Sequence, residues 1–255
     1  MLVIKLLLTP VLIGMVSLAG RRWGPAISGW FVGLPLTSGP VMLFLALDQG
    51  TTFTARAAEG TLLGLISVAS FCLIYSWLSL RVGWLGSLLV SWCVFFASTF
   101  ILEQFSMPVI IAFALVIVFL AIVLKLFPTY RGKYTMKSPP QWEVLLRMVT
   151  ATAFVLVLTG ISGVLGPQLS GLLTTFPIYA TILGSFTHHF SGAAAAGRLL
   201  RGVVFGTFTF AVFFLIIATT IEREGIVFAF GAAVLAALLL HGGSLWLLRK
   251  YIDVS

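Results

Sequence analysis

The chain has 255 residues, of which 60% are hydrophobic and only 9% are charged. A soluble domain of this size cannot cover its core with so little polar surface, so the composition predicts an all-α integral membrane protein, a polytopic helix bundle. The formal net charge of +8 would suit a nucleic-acid-binding protein, but the basic residues fall between apolar runs, so we interpret them as topology signals.

Apolar segments recur along the whole chain. A spanning helix takes about 20 apolar residues, and on that basis we predict nine spans, at about residues 3–20, 25–48, 60–80, 83–102, 107–127, 142–164, 167–187, 198–220 and 225–248. No small-residue cleavage site follows the first span, so we interpret it as a retained helix rather than a signal peptide. The sizeable loop at 128–141 is polar and basic, as cytoplasmic loops are.

The second span contains an interruption that a simple membrane helix does not need. Pro35, Gly39 and Pro40 stand near its middle. Each proline removes a backbone donor, and the freed carbonyls must find partners inside the protein. The seventh span repeats the pattern with Pro177. We therefore expect two broken helices of the kind that transporters use.

The two broken spans belong to an internal repeat. The motif GPxxSG occurs at Gly24–Gly29 and again at Gly166–Gly171. Farther on, Pro40–Phe53 has the same spacing as Pro177–Phe190, provided that one gap separates the two blocks. Later glycines, Gly60 and Gly197, keep that second register.

This repeat predicts the domain organisation. The first unit covers residues 1–102 and the second covers 142–255, with four helices each. Residues 103–141 supply one linking helix and the basic loop. Because the number of linking helices is odd, the second unit is inverted relative to the first.

Basic residues predict the orientation. An N-terminus outside the cell puts twelve Lys and Arg residues on the inner side and leaves only Lys5, Arg56 and Arg223 outside. We therefore expect Met1 outside and Ser255 in the cytoplasm. The inner set is Arg21, Arg22, Arg81, Lys125, Arg131, Lys133, Lys137, Arg147, Arg198, Arg201, Arg249 and Lys250.

The second half contains three short motifs, Gly171-Leu172, Phe176-Pro177 and Leu200-Arg201. In these motifs it resembles the small four-helix GlpM-like bacterial inner-membrane proteins. The first half keeps Gly33-Leu34 and Pro40 but lacks the Leu-Arg pair, and the whole chain is similar to duplicated bacterial membrane proteins. The resemblance implies a bacterial inner-membrane location and a link to envelope or exopolysaccharide production, and it implies no catalytic residues.

Candidate substrate-binding residues cluster at the two breaks, where hydroxyl groups stand beside freed backbone carbonyls. The alternative is that these hydroxyls only satisfy the carbonyls and hold a kink. His241 joins the set because an ionisable residue deep in the ninth span suggests proton coupling. The simpler interpretation is a neutral histidine that is hydrogen-bonded to a backbone carbonyl near Gly242. The full set is Thr37, Ser38, Pro40, Thr174, Thr175, Pro177, Tyr179 and His241.

Two further features have structural interpretations. Arg147 lies about one turn inside the sixth span, where its side chain can extend to the headgroups. Three GxxxG motifs allow helices to pack backbone to backbone; they are Gly29/Gly33, Gly60/Gly64 and Gly202/Gly206.

The sequence favours a secondary transporter or flippase that acts on a small-molecule or lipid-linked substrate. The competing hypothesis is a non-transporting assembly or regulatory factor for envelope polysaccharide machinery. No soluble-enzyme, metal, cofactor or nucleic-acid motif is recognisable, so we predict a non-enzyme. An intramembrane hydrolase using Ser38 or Ser170 with His241 is the enzyme alternative and has no nucleophile motif behind it. The sequence is compatible with a homo-oligomer and does not decide the oligomeric state.

Overall fold

The computed structural model describes residues 2–35, 38–105, 107–130, 140, 142–154, 156–157 and 176–252, with side chains described in these ranges except at 2–8 and 245–252. Regular structure in this part of the chain is helical throughout. The helices are α1 (Leu2–Trp23), α2 (Pro25–Val32), α3 (Ser38–Gln49), α4 (Thr51–Leu78), α5 (Trp84–Leu102), α6 (Val109–Leu126), α7 (142–154), α8 (Ile178–Ser191) and Ala193–Ile252, which Gly225 divides into α9 (193–224) and α10 (226–252).

The bundle is all-α, as predicted. Within the described ranges, four helical stretches are long and apolar enough to cross a membrane: Thr51–Leu78, Trp84–Leu102, Val109–Leu126 and Ala193–Ser244. The last of these includes both α9 and α10. The second predicted span is broken between α2 and α3, as its prolines and glycines indicated.

Single glycines join several consecutive helices. Gly24, Gly50, Gly192 and Gly225 have φ between 79° and 94° and ψ between 164° and 174°. Residues with a side chain are strongly strained in this region, so glycine is required for such a tight link. The chain folds straight back at each of these points without a loop.

One end of the bundle collects many of the helix ends, and we call it the basic end. Here α1, α4, α6 and α8 terminate and α2, α5, α7 and α9 begin. The contacts that join them are Arg21 with Glu143, Tyr130 with Ser76, Trp77 with Leu126, Trp84 with His189, and Trp142 with Phe190.

Most described basic residues lie at the basic end, although Arg56 and Arg223 lie at the opposite one. The described basic residues near the basic end are Arg21, Arg22, Arg81, Lys125, Arg147, Arg198 and Arg201. Apart from Glu143, the described acidic residues lie where α3, α5 and α9 end or α4 begins, which is the opposite end; they are Asp48, Glu59, Glu103, Glu222 and Glu224. The residues that predicted the topology are thus separated in space.

The long helices α4 and α9 pack against each other in opposite directions. At the basic end, the Tyr130 hydroxyl donates a 3.1 Å hydrogen bond to the Ser76 carbonyl near the end of α4. The same side chain fills the space beside Gly197, near the start of α9. At the other end, Ala58 of α4 shares a buried cluster with Ile217 of α9. The two helices are therefore antiparallel.

Two of the glycine links share a constant sequence spacing with other residues. Gly50 and Gly192 are 142 positions apart, and so are the two GPxxSG motifs. At this spacing Pro177 corresponds to Pro35, so the gapped register that paired it with Pro40 is unnecessary. Sixteen positions between 24 and 83 have the same residue 142 positions later: Gly24, Pro25, Ser28, Gly29, Pro35, Phe44, Gly50, Arg56, Gly60, Gly64, Ala69, Phe71, Leu73, Ile74, Arg81 and Gly83.

Two of the GxxxG motifs, Gly29/Gly33 and Gly202/Gly206, pack against each other. A Cβ added to Gly33 of α2 would overlap the backbone of Gly206 in α9, and one added to Gly29 would overlap the Leu199 carbonyl. The two helices thus touch backbone to backbone. Gly60 differs, because it is exposed and an added Cβ would meet no described atom within 4 Å.

Candidate functional site

A cavity of about 170 Å³ lies between the break that separates α2 from α3 and the start of α8. Gly33, Leu34 and Ser38 border it from the break, and Phe176 and Pro177 border it just before α8. Its remaining walls come from α1, α2, α4, α8 and α9. The first predicted break and the segment around Pro177 therefore share one space, while the residues just before Phe176 lie outside the described ranges.

Residues that are 142 positions apart in sequence line this cavity together. Of the nineteen lining residues, ten form five pairs at this spacing. Segments from both halves of the chain thus border the cavity. The pairs are Leu34/Phe176, Ser38/Ala180, Thr61/Val203, Leu65/Thr207 and Val68/Phe210.

The cavity wall is mainly apolar, with hydroxyl groups at a few points. Ser38, Thr61, Tyr179 and Thr207 supply those hydroxyls. The Thr61 and Thr207 hydroxyls each donate a 2.8 Å hydrogen bond to the carbonyl four residues earlier, which leaves their oxygen lone pairs as acceptors. In addition, α3 and α8 both begin at the cavity.

The predicted site residues separate into three groups. Ser38, Pro177 and Tyr179 line the cavity together. Thr37, Thr174 and Thr175 lie outside the described residues. Pro40 and His241 are described but do not line the cavity.

Pro40 lies within the first turn of α3, which starts at Ser38. A backbone donor is not needed in a first helical turn, so this proline is compatible with the helix and does not break it. The break lies before it, and Pro35 is the proline in the break. Pro35 and Pro177 each lie shortly before the start of a helix, α3 and α8 respectively.

His241 lies in a different buried contact, between α2, α9 and α10. Its ring stacks on Trp30 with centroids 3.7 Å apart. Its Nδ1 lies 3.4 Å from the Thr209 hydroxyl, and its Nε2 is buried with no hydrogen-bond partner among the described residues. The expected partner was a backbone carbonyl, whereas the observed one is a hydroxyl.

Arg147 does not extend to the headgroups, so that interpretation was wrong. Its side chain is only 7% exposed and pairs with the buried carboxylate of Glu143, four residues earlier on α7. Its guanidinium also donates to the Thr187 hydroxyl on α8, at 3.2 Å. A buried carboxylate one helical turn away holds the arginine inside the bundle.

Sequence reasoning missed Thr61, Thr207 and Glu143. The two threonines are ordinary helix residues in the sequence, and only the 142-residue spacing connects their helices. Glu143 and Arg147 had a detectable signal, because opposite charges four residues apart at the start of a predicted span can pair.

Comparisons of this chain with protein-family models, curated proteins and solved structures give no match.

Proposed function

We propose that this chain is a bacterial inner-membrane transporter or flippase whose substrate binds in the cavity between the two breaks. The observation that carries the proposal is the lining of that cavity by five matched pairs of residues. Binding between discontinuous helices of two related units is a common transporter plan. An assembly factor, the competing hypothesis, has no need for a cavity that reaches both breaks.

Inverted symmetry forms part of this proposal. The antiparallel packing of α4 and α9 supports it, because these helices begin at equivalent glycines, Gly50 and Gly192. In this arrangement the chain crosses the membrane nine times, which places the N-terminus outside the cell and the basic end in the cytoplasm. The segregation of basic and acidic residues between the two ends supports that orientation.

The proposed mechanism is alternating access. Helices on opposite walls of the cavity move relative to each other, so that it opens first to one side and then to the other. The close contact between α2 and α9 makes these helices one rigid body, because backbones in direct contact cannot slide past each other easily. Movement is therefore expected where side chains alone form the contact, such as between α4 and α8.

The cavity favours a small amphipathic substrate or the small head of a larger one. A volume of 170 Å³ corresponds to about five or six water molecules, below the roughly 300 Å³ of typical ligand pockets. The cavity as it stands therefore fits only a small ligand or a small group of a larger one. The apolar wall suits a hydrocarbon portion, and the hydroxyls with the two helix starts suit a group that accepts hydrogen bonds.

Ligand-dependent stabilisation tests the proposed function. We expect one class of compound in a panel of metabolites and lipid headgroups to raise the unfolding free energy of the purified protein, by about 2.7 kcal/mol at a concentration of 100 Kd. Thr207→Leu should weaken this effect, because it removes a hydroxyl and fills part of the cavity. Thr219→Leu is the matched control, since Thr219 is an exposed threonine on the same helix.

Two results would count against the site. A ligand that stabilises wild type and Thr207→Leu equally binds elsewhere. A ligand whose effect is lost equally in Thr207→Leu and Thr219→Leu reports a general loss of protein integrity rather than a local contact.

A further inference from the structure

The helices α4 and α8 both line the cavity, and both continue from it to the basic end, where they terminate. Among the described residues, the backbones of these two helices make little or no close contact along their length. Closure of the cavity between α4 and α8 on the side of the basic end therefore depends on side chains that bridge the two helices.

A tyrosine of α4 and a histidine of α8 form such a bridge. The Tyr75 hydroxyl lies 3.3 Å from Nδ1 of His188, within hydrogen-bond distance, and the two rings meet edge to face with centroids 5.8 Å apart. The Ser185 side chain, also on α8, hydrogen-bonds to Tyr75 as well. Tyr75 is 0% exposed, so its ring fills space between the helices in addition to bonding across it.

The bridge lies about two helical turns from the cavity, toward the basic end. Tyr75 follows the cavity-lining Val68 by seven residues on α4, and His188 follows the cavity-lining Ala180 by eight residues on α8. At 1.5 Å per residue, the pair stands about 11 Å beyond the cavity along both helices. Tyr75 also projects from the same face of α4 as Val68, because seven residues are close to two full turns.

This bridge can open more easily than the contact between α2 and α9. Those two helices touch backbone to backbone, whereas rotation of two side chains separates Tyr75 from His188. His188 is partly exposed at the basic end, so water can replace the tyrosine as its hydrogen-bond partner. Exchanging one hydrogen bond for another has a small net cost.

We infer that the pair of Tyr75 and His188 is the gate that closes the cavity toward the basic end. This inference rests on the proposed function, since a gate has a role only if the cavity opens to each side in turn. When the pair forms, the cavity is closed on this side. When it breaks, α8 moves away from α4 and the cavity opens to the side that the basic end faces.

Cysteine labelling of the cavity tests the gate without a known substrate. Thr207→Cys is made in a chain in which Cys72 and Cys93 are replaced by Ala and Ser, and a membrane-impermeant thiol reagent is applied to each side of the membrane. Thr129→Cys, exposed at the basic end, identifies the side that this end faces. The measured quantity is the labelling rate from that side divided by the rate from the opposite side. We expect Tyr75→Phe to raise this ratio about fivefold, the shift in equilibrium that corresponds to a hydrogen bond of about 1 kcal/mol.

Matched variants distinguish the gate from other hydrogen bonds at the basic end. Tyr130→Phe removes a tyrosine hydroxyl that also bonds to α4, at the Ser76 carbonyl, but Tyr130 follows α6 and does not join α4 to α8. It should change the ratio by less than about twofold, because its bond need not break when the gate opens. His188→Ala should act like Tyr75→Phe and add little to it in the double variant, since both remove the same contact. His188→Asn should restore part of the wild-type ratio, because an amide can take the place of Nδ1.

Three results would overturn the inference. An unchanged ratio in Tyr75→Phe, with Thr207→Cys still labelled from both sides, would remove the gate and leave the proposed function intact. Equal increases from both sides would show looser packing instead of an opened gate. Labelling from neither side in every variant would contradict the proposed function and the gate together. Thermal unfolding checks that each variant is folded, and the partly exposed His188 supplies the test if Tyr75→Phe is not.

Discussion

Replacing Gly33 with alanine is expected to prevent stable folding, with a loss of more than about 3 kcal/mol of unfolding free energy. The added Cβ would overlap backbone atoms of Gly206, and backbone cannot move aside as a flexible side chain can. The helices α2 and α9 would have to separate along their whole contact. Gly206→Ala should have a comparable effect, since its Cβ would meet the Trp30 carbonyl and Gly33.

Gly60→Ala is the matched control for this substitution. Gly60 also begins a GxxxG motif, but an added Cβ there meets no described atom within 4 Å. Thermal unfolding in detergent, together with the yield of monodisperse protein, measures each effect. A Gly33→Ala protein as stable as Gly60→Ala would show that α2 and α9 are not in backbone contact.

Glu143→Gln is expected to cost about 3–5 kcal/mol of stability, because it leaves two neighbouring guanidinium groups without their shared carboxylate in a buried place. Arg21→Gln should cost much less. It removes the more exposed arginine and leaves the pair of Glu143 and Arg147 intact. Chemical or thermal unfolding of the two variants measures the difference.

The order of these two effects is the decisive result. If Glu143→Gln is no more destabilising than Arg21→Gln, the group formed by Arg21, Glu143 and Arg147 is solvated, and Arg147 extends to the headgroups after all.

The helix positions were predictable because apolar runs of membrane length have few alternatives. Most predicted spans overlap a described helix, and the break before α3 follows from Pro35 and the nearby glycines. Backbone chemistry alone determines such features: proline lacks a donor and glycine lacks a side chain. The pairing of α2 with α9 was not predictable, since a GxxxG motif does not specify its partner.

The site was only partly predictable, for a related reason. Ser38, Pro177 and Tyr179 are near the breaks in sequence, and they also line the cavity. Thr61 and Thr207 reach it from the middle of long helices, so their contribution depends on how α4 and α9 pack. His241 was selected for its depth in the membrane, but depth does not determine direction, and its ring faces Trp30 instead of the cavity.

The repeat register shows how structure refines a sequence comparison. Prolines and phenylalanines recur by chance in an apolar chain, so pairing Pro40 with Pro177 seemed acceptable with a gap. The backbone angles of Gly50 and Gly192 are a stricter criterion, because only glycine tolerates them. Matching these glycines gives the constant spacing of 142.

Cysteine accessibility tests alternating access without knowledge of the substrate. Thr61→Cys and Thr207→Cys are made separately in a background where Cys72 and Cys93 are replaced by Ala and Ser. A membrane-impermeant thiol reagent is then applied to vesicles of either orientation. Ala211→Cys, on α9 and fully buried away from the cavity, is the unreactive control. The account predicts that each cavity cysteine reacts from both sides of the membrane, faster than the control. Labelling from neither side, at the rate of the control, would contradict transport through this cavity and favour the assembly factor.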